Sequence, residues 1–188
     1  MADKQTVGVD LGLTNAEKKT LLQLARTTIE AHVNGRQCPE FTPDTETLNE
    51  NRGAFVSLHR QGMLRGCIGH LQAVKPLFQT IRDMAVSAAF QDPRFGPLQE
   101  NELEDLDIEI SVLTPMEPVT DINDIEIGTH GLMLVREPFS GLLLPQVATQ
   151  YGWDREMFLR QTCVKAGLPE EAWQDKETKL FKFSADVF

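Results

Sequence analysis

Cysteine is scarce in this chain: there are three in 188 residues, Cys38, Cys67 and Cys163. An odd number without paired spacing argues against a disulfide framework, and a reducing compartment, the cytoplasm, is the expected location. Positive charge is also short. Eighteen Lys and Arg stand against 28 Asp and Glu, a formal net charge of −10. Binding to duplex nucleic acid needs a net basic face that displaces counterions from phosphates, so no nucleic-acid partner is expected. No apolar run reaches the roughly 18 residues of a membrane span, so no membrane association is expected either. Met1 to Asp10 holds no basic stretch leading into an apolar one, and no export signal is expected.

Several chemical signatures are missing as well. There is no Gly-x-Gly-x-x-Gly and no P-loop, so nucleotide binding has no support. There is no Gly-x-Ser-x-Gly nucleophile elbow. The four histidines are scattered and no Cys or His pair is closely spaced, so neither a metal nor a cofactor is expected. Internal repeats and low-complexity tracts are lacking.

What remains is an ordinary globular chain, 41% hydrophobic and 24% charged. Its length suits one domain, or a domain with a small lobe, that buries roughly 70% of its unfolded surface without a disulfide or metal. Residues 1–13 read as a disordered head. Thr14-Asn15-Ala16-Glu17 has the spacing of a capping box, and Leu21, Leu24, Ala25, Ile29 and Val33 follow at helical intervals up to a stop at Gly35. Cys38 to Arg52 is polar and carries two prolines, as a surface connection would. Ala54 to Arg60 and Met63 to Gly69 read as a hairpin. A three-residue loop, Arg60-Gln61-Gly62, best separates apolar from polar faces, placing Val56, Leu58, Leu64, Gly66 and Ile68 on one side and Ser57, His59, Arg65 and Cys67 on the other.

A second helix opens at Lys75-Pro76 and breaks at Asp92-Pro93. Leu106 to Leu113 alternates as a strand. Gly131 to Arg136 and Gly141 to Leu144 form a further pair, Asp154 caps a helix to about Ala166, and Lys179 to Phe183 is a late strand. Hairpins interleaved with separate helices predict an α+β fold with a mainly antiparallel sheet flanked by helices.

Met63-Leu64-Arg65-Gly66-Cys67-Ile68-Gly69 is the most unusual segment. Period-two geometry puts Arg65 and Cys67 on one strand face, where a guanidinium would favour the thiolate. Gly66 and Gly69 would let a ligand approach the backbone. The same residues also suit plain packing, with Cys67 as a small hydrophobe and the glycines relieving crowding against a helix. His70 and His59 flank the motif as candidate bases. His70 falls on the opposite face unless the strand bends at Gly69, and His59 lies roughly 13 Å along the strand, too far for proton transfer. Arg94 and Phe95, in the stiff loop Asp92 to Pro97, are candidates for holding an anion and an apolar group.

The run LRGCIG, Leu64 to Gly69, resembles the signature of the AMMECR family. GAFVSL at Gly53 to Leu58, SAAFQDPRFGPL at Ser87 to Leu98, IEISVLTP at Ile108 to Pro115, LLLPQVA at Leu142 to Ala148, GWD at Gly152 to Asp154 and KAGLPEEAW at Lys165 to Trp173 resemble family segments in the same order. The resemblance spans roughly residues 14–188, read as a single AMMECR-like domain. It implies an α+β fold with an antiparallel sheet, surrounding helices and a smaller lobe, with the signature near a cleft. It implies no settled activity. Family members often accompany Memo-like proteins and radical-SAM enzymes, which are the partners it suggests. At the position of His70 the family often has a small hydroxyl residue, so the resemblance does not imply a histidine base.

Two functions follow as expectations. In one, Cys67 is a catalytic nucleophile, Arg65 holds the thiolate or an anionic group, and Gly66, Gly69, His70, Arg94 and Phe95 line the binding cleft for a small molecule. In the other, the same region is a non-enzymatic protein-interaction module in which Cys67 is structural. The exposure of the Cys67 sulfur and the position of the Arg65 guanidinium separate them.

Overall fold

The structure, a computed structural model, describes residues 7–188. The fold is α+β, with antiparallel strands flanked by helices. It comprises two compact units. The larger takes in residues 11–113 with Val187 and Phe188; the smaller takes in residues 114–186 and the chain's beginning. Of the head expected to be disordered, residues 1–6 lie outside the described residues. Gly8 and Val9 donate backbone hydrogen bonds to Gly128 and Ala185, at 2.7 and 2.8 Å, and Leu13 is buried. These residues have no period of their own, and strand-edge pairing supplies their order.

In the larger unit, α1 (Asn15–Val33) begins at the expected capping box: the Thr14 hydroxyl accepts from the Glu17 N–H at 3.2 Å and the Glu17 carboxylate accepts from the Thr14 N–H at 2.8 Å. A short α2 (Glu46–Asn49) follows, then the hairpin β1 (Ala54–Arg60) and β2 (Met63–His70), α3 (Leu77–Phe90) and β3 (Leu106–Leu113). The strands run in the order β2-β1-β3, all antiparallel. Leu21, Leu24, Ala25 and Ile29 of α1 and Leu77, Ile81, Ala85 and Ala88 of α3 form one core with Val56, Leu58, Ile110 and Val112 of the sheet. Burial of these aliphatic groups is the main source of stability here, each fully buried large side chain contributing about 1.5–3 kcal/mol.

The hairpin turn differs from its expected form. Arg60 pairs with Met63, so the loop is the two residues Gln61 and Gly62, both at positive φ, 51° and 76°. That is the mirror-image turn whose twist matches the strands, and it favours Gly at its second position. The register then shifts: His59 pairs with Leu64 but Leu58 with Gly66, leaving Arg65 as the extra residue of a bulge. The bulge restores parity. Val56, Leu58, Gly66 and Ile68 share the core face and Ser57 and Cys67 the other, as expected, but Leu64 pairs with His59 and is exposed, not on the apolar face where it was expected.

The smaller unit holds β4 (Glu117–Pro118), β5 (His130–Arg136), β6 (Phe139–Leu143), α4 (Pro145–Tyr151), α5 (Arg155–Lys165) and all but the last residue of β7 (Lys179–Val187). β5 pairs with β6 and β7, and β4 with β7, all antiparallel. Its core gathers Ile125, Leu132, Ala148, Phe158 and Leu159. Asp154 caps α5 by accepting from the Met157 N–H at 2.8 Å, and Gly167 ends that segment at φ 76°.

Candidate functional site

Cys67 sits on β2, at the edge of the β2-β1-β3 ladder. Ser57 faces it on β1, and Glu109 on β3 is paired with Ser57, so Cys67, Ser57 and Glu109 form one row across three strands on the face away from the α1–α3 core. The Ser57 hydroxyl donates to the Cys67 sulfur at 3.2 Å. An edge strand leaves backbone groups unpaired on its outer side. At Cys67 the loop after α3 takes up both: the Asp92 carboxylate accepts from the Cys67 N–H at 2.9 Å, and the Arg94 guanidinium donates to the Cys67 carbonyl at 3.3 Å. A charged side-chain pair thus stands where a neighbouring strand would be.

Asp92 is the hub of this corner. Its side chain is almost fully buried, and it accepts from the Arg94 N–H at 3.1 Å, Arg94 Nε at 2.9 Å and Arg94 Nη2 at 2.7 Å. Those charge-assisted bonds, Arg94 first and the Cys67 N–H after burial's opposing effect, hold its carboxyl at a pKa of about 2. The bond back to the Arg94 N–H is the turn an Asp makes two residues ahead of itself.

Arg65 is engaged elsewhere. Its Nε and Nη2 donate to the two oxygens of Glu102 at 2.8 and 3.0 Å, in the single helical turn Glu100–Glu102. That fork lowers the Glu102 pKa. Arg60 reaches the same carboxylate at 3.5 Å. The guanidiniums of Arg65 and Arg94 both lie over the Phe95 ring, at 5.9 and 5.4 Å from its centroid.

Burial dominates at the thiol. Burial pushes the Cys67 pKa up; the Ser57 hydroxyl and the Arg94 charge oppose this, while the Asp92 and Glu109 carboxylates add to it. The balance is upward, away from thiolate formation. The expected activation by Arg65 is corrected: the cation whose field reaches the sulfur is Arg94, and Arg65 is committed to Glu102. The expected openness at the glycines is corrected too. A Cβ on Gly66 would overlap the Ala88 carbonyl oxygen of α3, and one on Gly69 would overlap the Phe55 ring, so both spaces are already filled by the protein. His70 is exposed, with its Nδ1 3.0 Å from the Gln72 carbonyl oxygen, and belongs to another neighbourhood. His59 pairs with Leu64 and Asp107, on the turn side of the bulge. Of the expected residues the structure gathers Arg65, Cys67, Arg94 and Phe95. It adds Ser57, Asp92 and Glu102, which the sequence reading left out of the site. Asp-Pro-Arg was a legible signal for the turn at Asp92; its meeting with β2, and that of Glu102, was not. Among the described residues no group of three or more His, Cys, Asp or Glu is placed to hold a metal ion, and no helix among them is long and apolar enough to cross a membrane.

Residues 22–188 match the family model described as AMMECR1. The chain belongs to the AMMECR1 family. A protein from Methanothermobacter thermautotrophicus is 45% identical over 185 residues, covering 94% of this chain and 95% of its own. A Thermococcus onnurineus protein is 46% identical over 181 residues, covering 89% and 87%. The crystal structure of the uncharacterized protein PH0010 from Pyrococcus horikoshii superposes with a TM-score of 0.85 at 40% identity, covering 89% of this AMMECR1 chain and 88% of that one.

Proposed function

We propose that this AMMECR1-family protein is a binding module whose recognition surface is the corner of Arg65, Phe95 and Arg94 beside Cys67, with Cys67 as a packed neutral thiol. The observation that carries the reading is that the guanidiniums of Arg65 and Arg94, each fixed to a carboxylate, both lie over the Phe95 ring. Aromatic and arginine side chains are the commonest anchors of protein interfaces. Arginines already locked by ion pairs lose little freedom on binding. The Arg94 side chain remains 44% exposed, so it is available to a partner's carbonyl or carboxylate. Memo-like and radical-SAM proteins are the partners that family association proposes.

The test is a pull-down of the whole chain with purified Memo-like and radical-SAM proteins from its own source. Phe95→Ala abolishes the complex and Cys67→Ser keeps it. A complex that survives Phe95→Ala, or fails with Cys67→Ser, overturns the reading. The replacement Gly66→Val is a poor probe, because its side chain collides with the Ala88 backbone and the fold suffers first.

One observation favours a second reading, a cysteine nucleophile: Ser57 and Arg94 both stabilise the thiolate. Alkylation by iodoacetamide against pH decides it. Half-maximal Cys67 reactivity well below the free-thiol value of about 8.5 supports catalysis; a value above it supports the binding module.

A further inference from the structure

A concavity in the larger unit lies between α1 and α3. It encloses about 330 Å³ and is lined by Thr28, His32, Arg36, Cys38, Arg82 and Ser87, among others. That volume sits at the small end of the usual range of ligand sites, roughly 300–1,000 Å³.

The cleft is built from fixed parts. Thr28 is buried, with its hydroxyl 3.5 Å from the Cys38 sulfur. The His32 ring rests on Phe90 at 4.5 Å between centroids. The Ser87 hydroxyl donates to Gln91 at 3.0 Å. Asp83 also lines the cleft, but Lys75 meets its charge at 2.7 Å. Arg36 follows the end of α1, with its N–H bonded to the Ala31 carbonyl at 2.8 Å. Arg82 projects from α3. Among the described residues neither guanidinium has a hydrogen-bonding or ion-pair partner. In a chain of net charge −10, with 28 carboxylates available, two uncompensated arginines facing one hollow form a local positive potential.

We propose that this cleft binds a small phosphate monoester between Arg36 and Arg82. Two guanidiniums match the two charges of a phosphate monoester above its second pKa of about 6, and the planar fork of arginine suits phosphate oxygens. The Cys38 thiol stands inside the cleft as a reporter.

Inorganic phosphate is the probe, added to the full chain while iodoacetamide alkylates it and peptide mass spectrometry follows Cys38 and Cys67 separately. Phosphate slows Cys38 alkylation relative to chloride at equal ionic strength and leaves Cys67 unchanged. Arg36→Gln and Arg82→Gln each raise the phosphate concentration needed by about tenfold, the loss of one charge-assisted contact. Equal protection by chloride, or protection undiminished in Arg36→Gln, overturns the site. Equal protection by succinate overturns the phosphate assignment. Arg36 is exposed, so its variant keeps the fold and the test stands even where Arg82→Gln does not.

Discussion

Arginine does opposite work in two regions of the larger unit. At the Cys67 corner Arg65 is forked onto Glu102 and Arg94 onto Asp92, so each positive charge is met within the protein. In the α1–α3 cleft Arg36 and Arg82 face the hollow with no such carboxylate among the described residues. The corner holds the densest motif of the chain, yet its polar groups mostly hold backbone in place: Asp92 and Arg94 close a strand edge, and Gly66 lets α3 approach. The cleft contains no motif at all, yet its charges are left for something else. An unusual run of residues thus marks unusual packing as readily as it marks chemistry, and charge without a counter-charge is the more direct sign of a ligand.

The contrast predicts graded effects. The largest is Gly66→Ala, which forces a methyl group into the Ala88 carbonyl; overpacking against backbone costs about 3 kcal/mol. For a chain of this length that lowers Tm by about 6–12 °C in a thermal melt. A loss under about 1 kcal/mol would show that β2 does not need the close approach.

Next is Asp92→Ala, which leaves the Cys67 N–H and the Arg94 guanidinium without their acceptor and costs about 2–3 kcal/mol in urea unfolding. Its pH signature has a definite sign. The folded Asp92 pKa is about 2, below the unfolded value of about 3.9. The stabilisation is therefore complete above pH ~4 and disappears as pH falls toward ~2. Glu17, also held at about 2 by hydrogen bonds from Thr45 and Thr14, contributes to the same decline. Asp92→Asn removes only its own share, so the slope between pH 4 and 2 flattens without vanishing. An unchanged slope would place the ion pair outside the folding equilibrium.

Phe95→Ala comes third. The ring is half-buried, so the stability loss is about 1 kcal/mol, while partner binding falls by an order of magnitude or more. Equal loss in both measurements would reduce Phe95 to packing. The smallest effect is Arg36→Gln, which changes stability by no more than about 0.5 kcal/mol because its side chain holds nothing in place. A larger loss would make the cleft arginines structural, like those of the corner.

Much of the fold was legible. The α1 capping box, the α5 cap at Asp154, the Leu106–Leu113 strand and the hairpin all follow from local chemistry, because caps and period-two alternation are written within a few neighbouring residues. The hairpin turn was misjudged because hydrophobic pattern alone cannot distinguish a longer loop from a short loop followed by a bulge: both put Ser57 and Cys67 on one face. Tyr151 is 68% exposed and stacked on Trp153, a placement that no local pattern announces. At the site, Cys67, Arg94 and Phe95 could be singled out by type and spacing. Ser57, the partner of Cys67, lies ten residues from it, and Glu102, the partner of Arg65, lies 37 residues from that arginine; no local rule couples positions so far apart.

By itself the sequence determined the class of fold, the helix ends, the family and which side of β2 carries the sulfur, since each depends on interactions within a few residues or on a run of matching segments. Only the tertiary structure decided which carboxylate each arginine meets, that Arg94 and not Arg65 reaches the thiol's surroundings, and that two arginines on separate elements share one hollow. Those facts depend on how α3, its following loop and the strands come together, because electrostatic interaction falls with distance in space and is indifferent to separation along the chain.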